Sequence, residues 1–437
     1  MTTEFQTYSK YKNSDVEWTQ RFPSEWSVQR VKTIFHLVKR PIRESDDIVT
    51  AFRDGMVTLR KNRKEDGFTI ALQESGYQGI RKGDLVISGM DGFAGAIGIS
   101  DSDGKSTPVY SVCVPNSGES FSPYYAYLLR TLAITGYISI LARGIRERST
   151  EFKWNIIGDI RLLLPPIETQ QRIADFLDEK KKVIDRLIEK KEQLIKLLRE
   201  NRAALITRTV TKGLDPHAKL KPSGVEWVGD IPVGWNDRKL KYVSKIDTGG
   251  IFGDEMIGDV EAKLVTTGQL SMSGEWYLDE MENKFFSKVE YSKFKNVLGD
   301  IVVVKSSGSS TNIITGKAGF VSEKEAGTVF GNFLLRVRAL DIMIPKYLYY
   351  FLTSNITRQR IELMCSSTTY PNLKVWEYVS ALILLPPKYS QQKIVAFLDT
   401  ETIKIDRTAV LIESQMEKLK EYRSSLIYSA VTGKIKI

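Results

Sequence analysis

Two segments of the chain hold a helical period over many turns. After LPPIETQQRIADFL, residues Leu177, Ile184, Leu198 and Leu205 return at one heptad position, and Ile188 and Ile195 lie four residues after it, with Glu, Lys and Arg on the other faces. Lys191 interrupts the series. After LPPKYSQQKIVAFL the same holds for Leu398, Ile405, Ile412, Leu419 and Leu426, with Ala409 and Met416 beside them. A stripe this narrow, repeating about every 3.5 residues, predicts a seam for one partner helix rather than a broad face against a globular core. The proline pairs fit helix starts, where a missing N–H costs nothing. From Gln171 to Arg208 the first helix would be roughly 55 Å long at 1.5 Å per residue. The simplest partner for either seam is the other. If the two halves are equivalent, the helices run antiparallel about a pseudo-two-fold axis, as a coiled-coil rod.

The rest of the pattern is also duplicated. Val16-Glu17-Trp18, Pro23 and Trp26 recur at one constant offset as Val225-Glu226-Trp227, Pro232 and Trp235. Gly83-Asp84-Leu85-Val86 resembles Gly299-Asp300-Ile301-Val302, and SPYYAYLLRT resembles IPKYLYYFLT, whereas the intervening loops differ. DLVIS (84–88) and DIVVVK (300–305) read as buried strands. The expected organisation is a mixed α/β (α+β) domain over 1–166, a helix over 167–210, a linker over 211–224, a second mixed domain over 217–387 and a helix over 388–432. The tryptophans belong to the repeated frame, which predicts packing anchors.

Length and composition agree with two such domains: 437 residues exceed one ordinary core, and 42% hydrophobic residues suffice to build two. Two cysteines and two histidines argue against a disulfide framework or a zinc site, and a reducing cytoplasm is expected. No apolar run is long enough to span a bilayer, and the polar first residues lack the core of a signal peptide. The net charge of +10 favours a polyanionic partner.

Catalytic patterns do not emerge. LPPI and LPPK lack the polar residue and the aromatic that a loop holding an adenine amino group for methyl transfer would need. The glycine-rich stretches 88–101 and 306–319 have neither dinucleotide nor Walker spacing, and they read as hairpin or strand-connecting loops. Basic and hydroxyl clusters are better candidates, as surfaces for DNA. In the first half these are Arg60, Lys61, Arg63 and Lys64, then Arg143, Arg146, Arg148 and Lys153. In the second half they are Lys305, Ser306, Ser307, Ser309, Ser310, Thr311 and Asn312, then Ser366, Ser367, Thr368, Thr369, Tyr370, Asn372 and Lys374. Arginine forks neutralise phosphates or grip guanine edges, and Ser, Thr and Asn serve both phosphate and base contacts.

Taken together, the two tryptophan boxes, GDLVIS and GDIVVV, and the two LPP-x(3)-QQ(R/K)I helices resemble the specificity (S) subunits of type I restriction-modification enzymes over essentially the whole chain. The first box departs at Thr19-Gln20, where the second has Val228-Gly229, and Gln170 and Gln391 stand where that family often has Glu. The resemblance implies two target-recognition domains, each reading half of a bipartite double-stranded DNA site. It also implies methylation subunits that use S-adenosylmethionine, and a restriction and motor subunit that uses ATP and Mg. The chain itself would be non-catalytic, binding no cofactor or metal, with Lys180, Lys181, Arg186 and Arg407 on helical faces open to methylation subunits. Two readers on one side of B-DNA need a separation of about 34 Å, which a stiff helical pair would enforce. The competing expectations are a coiled-coil protein scaffold without specific DNA binding and a self-sufficient methyltransferase or nuclease.

Overall fold

The computed structural model describes residues 5–63, 76–141, 152–225, 227–272, 274–306, 308–309, 312–365 and 371–437. The chain divides into two compact units, Met1–Lys191 with Ser414–Ile437, and Glu192–Glu413. Both are mixed α/β, and each holds the start of one long helix and the end of the other.

In the first unit a four-stranded antiparallel sheet runs in the order Phe35–Leu37, Tyr110–Pro115, Leu85–Ser88, Ile97–Ile99. Leu85–Ser88 is buried along its length, which is why it is apolar without alternation. Leu85 and Ile87 face a core with Tyr124, Tyr125, Leu128 and Leu129 of helix Ser122–Ile134. Val86 faces the opposite way, with Val49, Val57 and Ile80. The second unit repeats the order with Ser244–Asp247, Leu334–Ala339, Ile301–Val304, Ala318–Phe320. Ile301 and Val303 pack with Tyr347 and Leu348 of helix Pro345–Leu352, and Val302 and Val304 pack with Val265 and Phe330. The second unit also carries a three-stranded sheet of Glu282–Phe286, Val260–Val265 and Val329–Phe330.

The shared Gly-Asp pairs have one structural job in both units. Gly83 and Gly299 take φ of +92° and +89°, backbone that favours glycine. The following aspartates are buried; Asp84 accepts from the Arg81 N–H at 2.7 Å and Asp300 from the Val297 N–H at 2.8 Å. Each is neutralised by an arginine, Asp84 by Arg40 and Asp300 by Arg338 at 2.6 Å.

The long helices are Ile167–Lys212 and Lys388–Val431, each beginning directly after its proline pair. In the first unit Asp185 pairs with Arg423, and Lys191 donates to Gln415 at 2.6 Å, so the two segments there run in opposite directions. In the second unit Arg202 pairs with Asp406 at 2.9 Å and Arg199 with Glu413 at 3.3 Å, again in opposite order. Leu177, Ile184, Ile188, Ile195, Leu398, Ile412, Met416 and Leu426 are buried, whereas Leu198, Leu205, Ile405 and Leu419 are half-buried.

The first glutamine of each pair fastens the helix start. Gln170 accepts from the Phe121 N–H at 2.8 Å and donates to the Pro165 and Glu119 carbonyls at 2.8 and 2.9 Å. Gln391 does the same with the Ile344 N–H and the Pro386 and Ile342 carbonyls. At the far ends, Tyr124 donates to the Val431 carbonyl at 3.0 Å and Tyr347 to the Val210 carbonyl at 3.2 Å, satisfying acceptors that a helix end leaves open. Gly433 and Gly213 follow with positive φ, lying against Trp26 and Trp235 respectively. Both tryptophans are buried, so these members of the boxes are anchors for the incoming helix end. One boundary differs from expectation: within 211–224, Thr211 and Lys212 continue the helix, and Leu220–Pro222 pairs with Asp230–Pro232.

Candidate nucleic-acid interface

The two sheets end in the same backbone frame. In the first unit the Gly89 N–H donates to the Val109 carbonyl at 3.0 Å, and the Gly89 carbonyl accepts from the Phe152 N–H at 2.9 Å. In the second unit Lys305, Phe333 and Leu373 make the corresponding bonds, both at 2.8 Å. The strand end, the start of the neighbouring strand and the chain leading into the next helix therefore converge at one point in each unit. Lys153 and Lys374 follow directly at that point.

In the second unit this convergence unites two clusters that lie far apart in sequence. Ser306 bridges Asn372, and the Thr315 hydroxyl donates to the Pro371 carbonyl at 2.8 Å. Lys305 Nζ is held on the Thr248 carbonyl at 3.1 Å, and Lys374 pairs with Glu377 at 3.3 Å. Ser309 and Asn312 are paired backbone to backbone in a short hairpin. Ser307, Ser310, Thr311 and Ser366, Ser367, Thr368, Thr369 and Tyr370 lie outside the described residues, as do Lys64, Arg143, Arg146 and Arg148 of the first half.

In the first unit, a cleft of 840 Å³ opens at the equivalent point, lined by Lys39, Arg40, Tyr77, Met90, Tyr110, Lys153 and Trp154 among others. Arg60, Lys61 and Arg63 stand elsewhere, at the turn after strand Val57–Leu59. Arg60 donates to the Thr50 hydroxyl at 3.2 Å, and its charge reaches Tyr110, whose hydroxyl burial pushes up in pKa against that cation. Lys61 is paired with Asp47 at 2.5 Å, a contact that holds the Asp47 carboxyl below its usual range. Arg63 stacks over Phe52 and pairs with Asp54 at 2.6 Å. Burial opposes ionisation of Asp54, yet Arg63 and the Met56 N–H hold its pKa below the ordinary carboxylate value. A phosphate arriving at Lys61 or Arg63 has to displace an aspartate, so these cations offer less than their formal charge suggests.

Sequence patterns alone pass over Val109, Met90, Phe252 and Phe333, all exposed apolar residues at or beside the two convergence points. Isolated apolar residues in loops carry no periodicity, so no pattern marked them. Among the described residues there is no group of three or more His, Cys, Asp and Glu placed to hold a metal ion, and no helix long and apolar enough to cross a membrane.

Residues 232–417 match the family profile described as the type I restriction modification DNA specificity domain. The MjaVIII type I specificity subunit of Methanocaldococcus jannaschii is 23% identical over 290 residues, 64% of this chain and 64% of its own length. The StySPI specificity subunit of Salmonella potsdam is 24% identical over 47% of this chain and 44% of its own length, so these two matches span less than two thirds of either relative. The MjaIX specificity subunit of M. jannaschii is 21% identical over 99% of this chain and 98% of its own. Among solved structures, a chain from a type I R-M system studied for complex assembly and conformational transition superposes with a TM-score of 0.68 at 16% identity, over 95% of this chain and all of that one. The HsdS subunit of Thermoanaerobacter tengcongensis superposes with a TM-score of 0.52 at 16% identity, over 95% of this chain and 98% of that one. At these identities the structural likeness speaks for the fold.

Proposed function

We propose that the chain is a specificity subunit of a type I restriction-modification system, the non-catalytic DNA-reading member of such a complex. Each unit reads one half of a bipartite double-stranded target. The observation that carries this reading is the repeated frame at Gly89, Val109 and Phe152 and at Lys305, Phe333 and Leu373, which presents different side chains in the two units. A shared scaffold with divergent chemistry at one point is what reading two different half-sites requires. The opposed ion pairs along the helices support an antiparallel pair with pseudo-two-fold symmetry that sets the spacing between half-sites.

Methylation subunits dock on the outer helical faces, and a restriction and motor subunit joins through them. S-adenosylmethionine, ATP and Mg belong to those partners. In support, the first long helix exposes apolar residues in each unit, Val183 and Leu187 in the first and Leu194 and Leu197 in the second, where a partner helix can pack. Arg186 on the first long helix and Arg407 on the second are exposed too, while Lys180 lies over the Phe176 ring at 5.5 Å and Lys181 is half-buried. Sequencing the methylomes of cells with and without this chain tests the reading: a two-part motif with modified adenines should appear only with it. An unchanged methylome despite expressed methylation subunits would favour the protein scaffold.

A further inference from the structure

Beside Lys305 and Ser306 the second unit leaves two aromatic rings in solvent. Phe252 and Phe333 are 56% and 51% exposed, and they meet edge to face with centroids 6.3 Å apart and planes at 73°. Phe333 is fixed through its own backbone, and Phe252 by the two residues before it. The Phe333 carbonyl accepts from the Lys305 and Ser306 N–H groups at 2.8 and 3.3 Å. The Ile251 N–H donates to the Phe330 carbonyl at 3.3 Å, and Gly250 lies so close to the Gly331 backbone that a Cβ there would collide. The rings are thus a held apolar corner, bordered by Lys305 and by Ser306 with its bridge partner Asn372.

An apolar corner among hydrogen-bonding side chains matches one feature of double-stranded DNA. The major groove displays donors, acceptors and the 5-methyl group of thymine, and that methyl is its one apolar mark. The edge-to-face packing sets one ring against the face of the other, so the pair offers a blunt edge rather than a slot for a stacked base. We propose that Phe252 and Phe333 are specificity-determining residues that receive the 5-methyl group of a thymine in the half-site read by the second unit. The proposal rests on the DNA-reading function above. The first unit has a smaller apolar residue at the same point of the frame, Val109, whose carbonyl accepts from Gly89 as that of Phe333 does from Lys305.

The test uses the full chain with its methylation subunits. Duplexes are selected from a random-sequence pool, and each thymine of the selected motif is then replaced in turn by deoxyuridine, which lacks only the methyl. The wild type should lose about fourfold in affinity at a thymine in one half-site, the effect of one buried methyl group. Phe333→Ala and Phe252→Ala should bind the thymine and deoxyuridine duplexes equally there, while keeping the wild-type response to changes in the other half-site. Indifference of the wild type to every replacement overturns the proposal, and needs no variant. Variants that keep the wild-type methyl sensitivity overturn it as well. Failure to select any motif removes the DNA-reading function and this proposal together, whereas a motif without methyl sensitivity removes the proposal alone.

Discussion

At Gln391 one side chain accepts from the Ile344 N–H at 2.7 Å and donates to the Pro386 and Ile342 carbonyls at 2.9 and 3.2 Å, fully out of solvent. Truncating it strands buried backbone groups, and each such group costs about 1–3 kcal/mol. Gln391→Ala should therefore lower unfolding stability in urea by roughly 2–3 kcal/mol. Its neighbour Gln392 is exposed, and Gln392→Ala should change stability by no more than about 0.5 kcal/mol. Equal effects from the two substitutions would contradict the geometry. A comparable expectation holds at Asp300, fully buried between Arg336 and Arg338. Asp300→Ala strands the Val297 N–H and unpairs Arg338, while Arg336 keeps Asp247 at 2.6 Å, and it should cost about 1–3 kcal/mol in the same assay. The sequence showed both glutamines and both Gly-Asp pairs as repeats. It did not show that only the first glutamine of each pair is buried, because that depends on the carbonyls a neighbouring helix start brings to it.

Among the elements, the long helices were the most legible. Their starts at the proline pairs and their seams follow from period alone, because a buried stripe must recur in phase with the helix. Burial alternates along the second seam, with Ile405 and Leu419 half-buried between the buried Leu398, Ile412 and Leu426, whereas on the first helix the half-buried Leu198 and Leu205 come last. Lys191, the charge on the seam, keeps its stem half-buried and places Nζ on Gln415. The repeat puts Ile412 at the corresponding place on the other helix, where it is buried. Lys191→Ile should then stabilise the chain by about 0.5–1 kcal/mol, read as a raised urea midpoint. A fall in the midpoint would mean that the Gln415 contact outweighs the apolar gain. Lengthening the helices by about one turn, ~5.4 Å, should change the tolerated gap between half-sites and leave the half-sites themselves unaltered, as motif selection would report.

For the whole molecule, the proposed division of labour between the two units predicts one-sided effects. Replacing Arg143, Arg146 and Arg148 together by Ala should weaken discrimination in one half-site only, measured by motif selection with the intact complex; equal loss in both would point to general electrostatic binding. The sequence by itself determined the duplication, the helices, the central buried strands and the repeated turns, because each is a matter of local period, backbone preference or recurrence. The tertiary structure decided which distant residues share a surface. It joined Ser306 to Asn372, set Lys61 and Arg63 against aspartates, and left Phe252 and Phe333 exposed together. Those outcomes turn on loop paths and charge pairing, some across 9 or 14 residues and others across many more, and no periodicity along the chain records them.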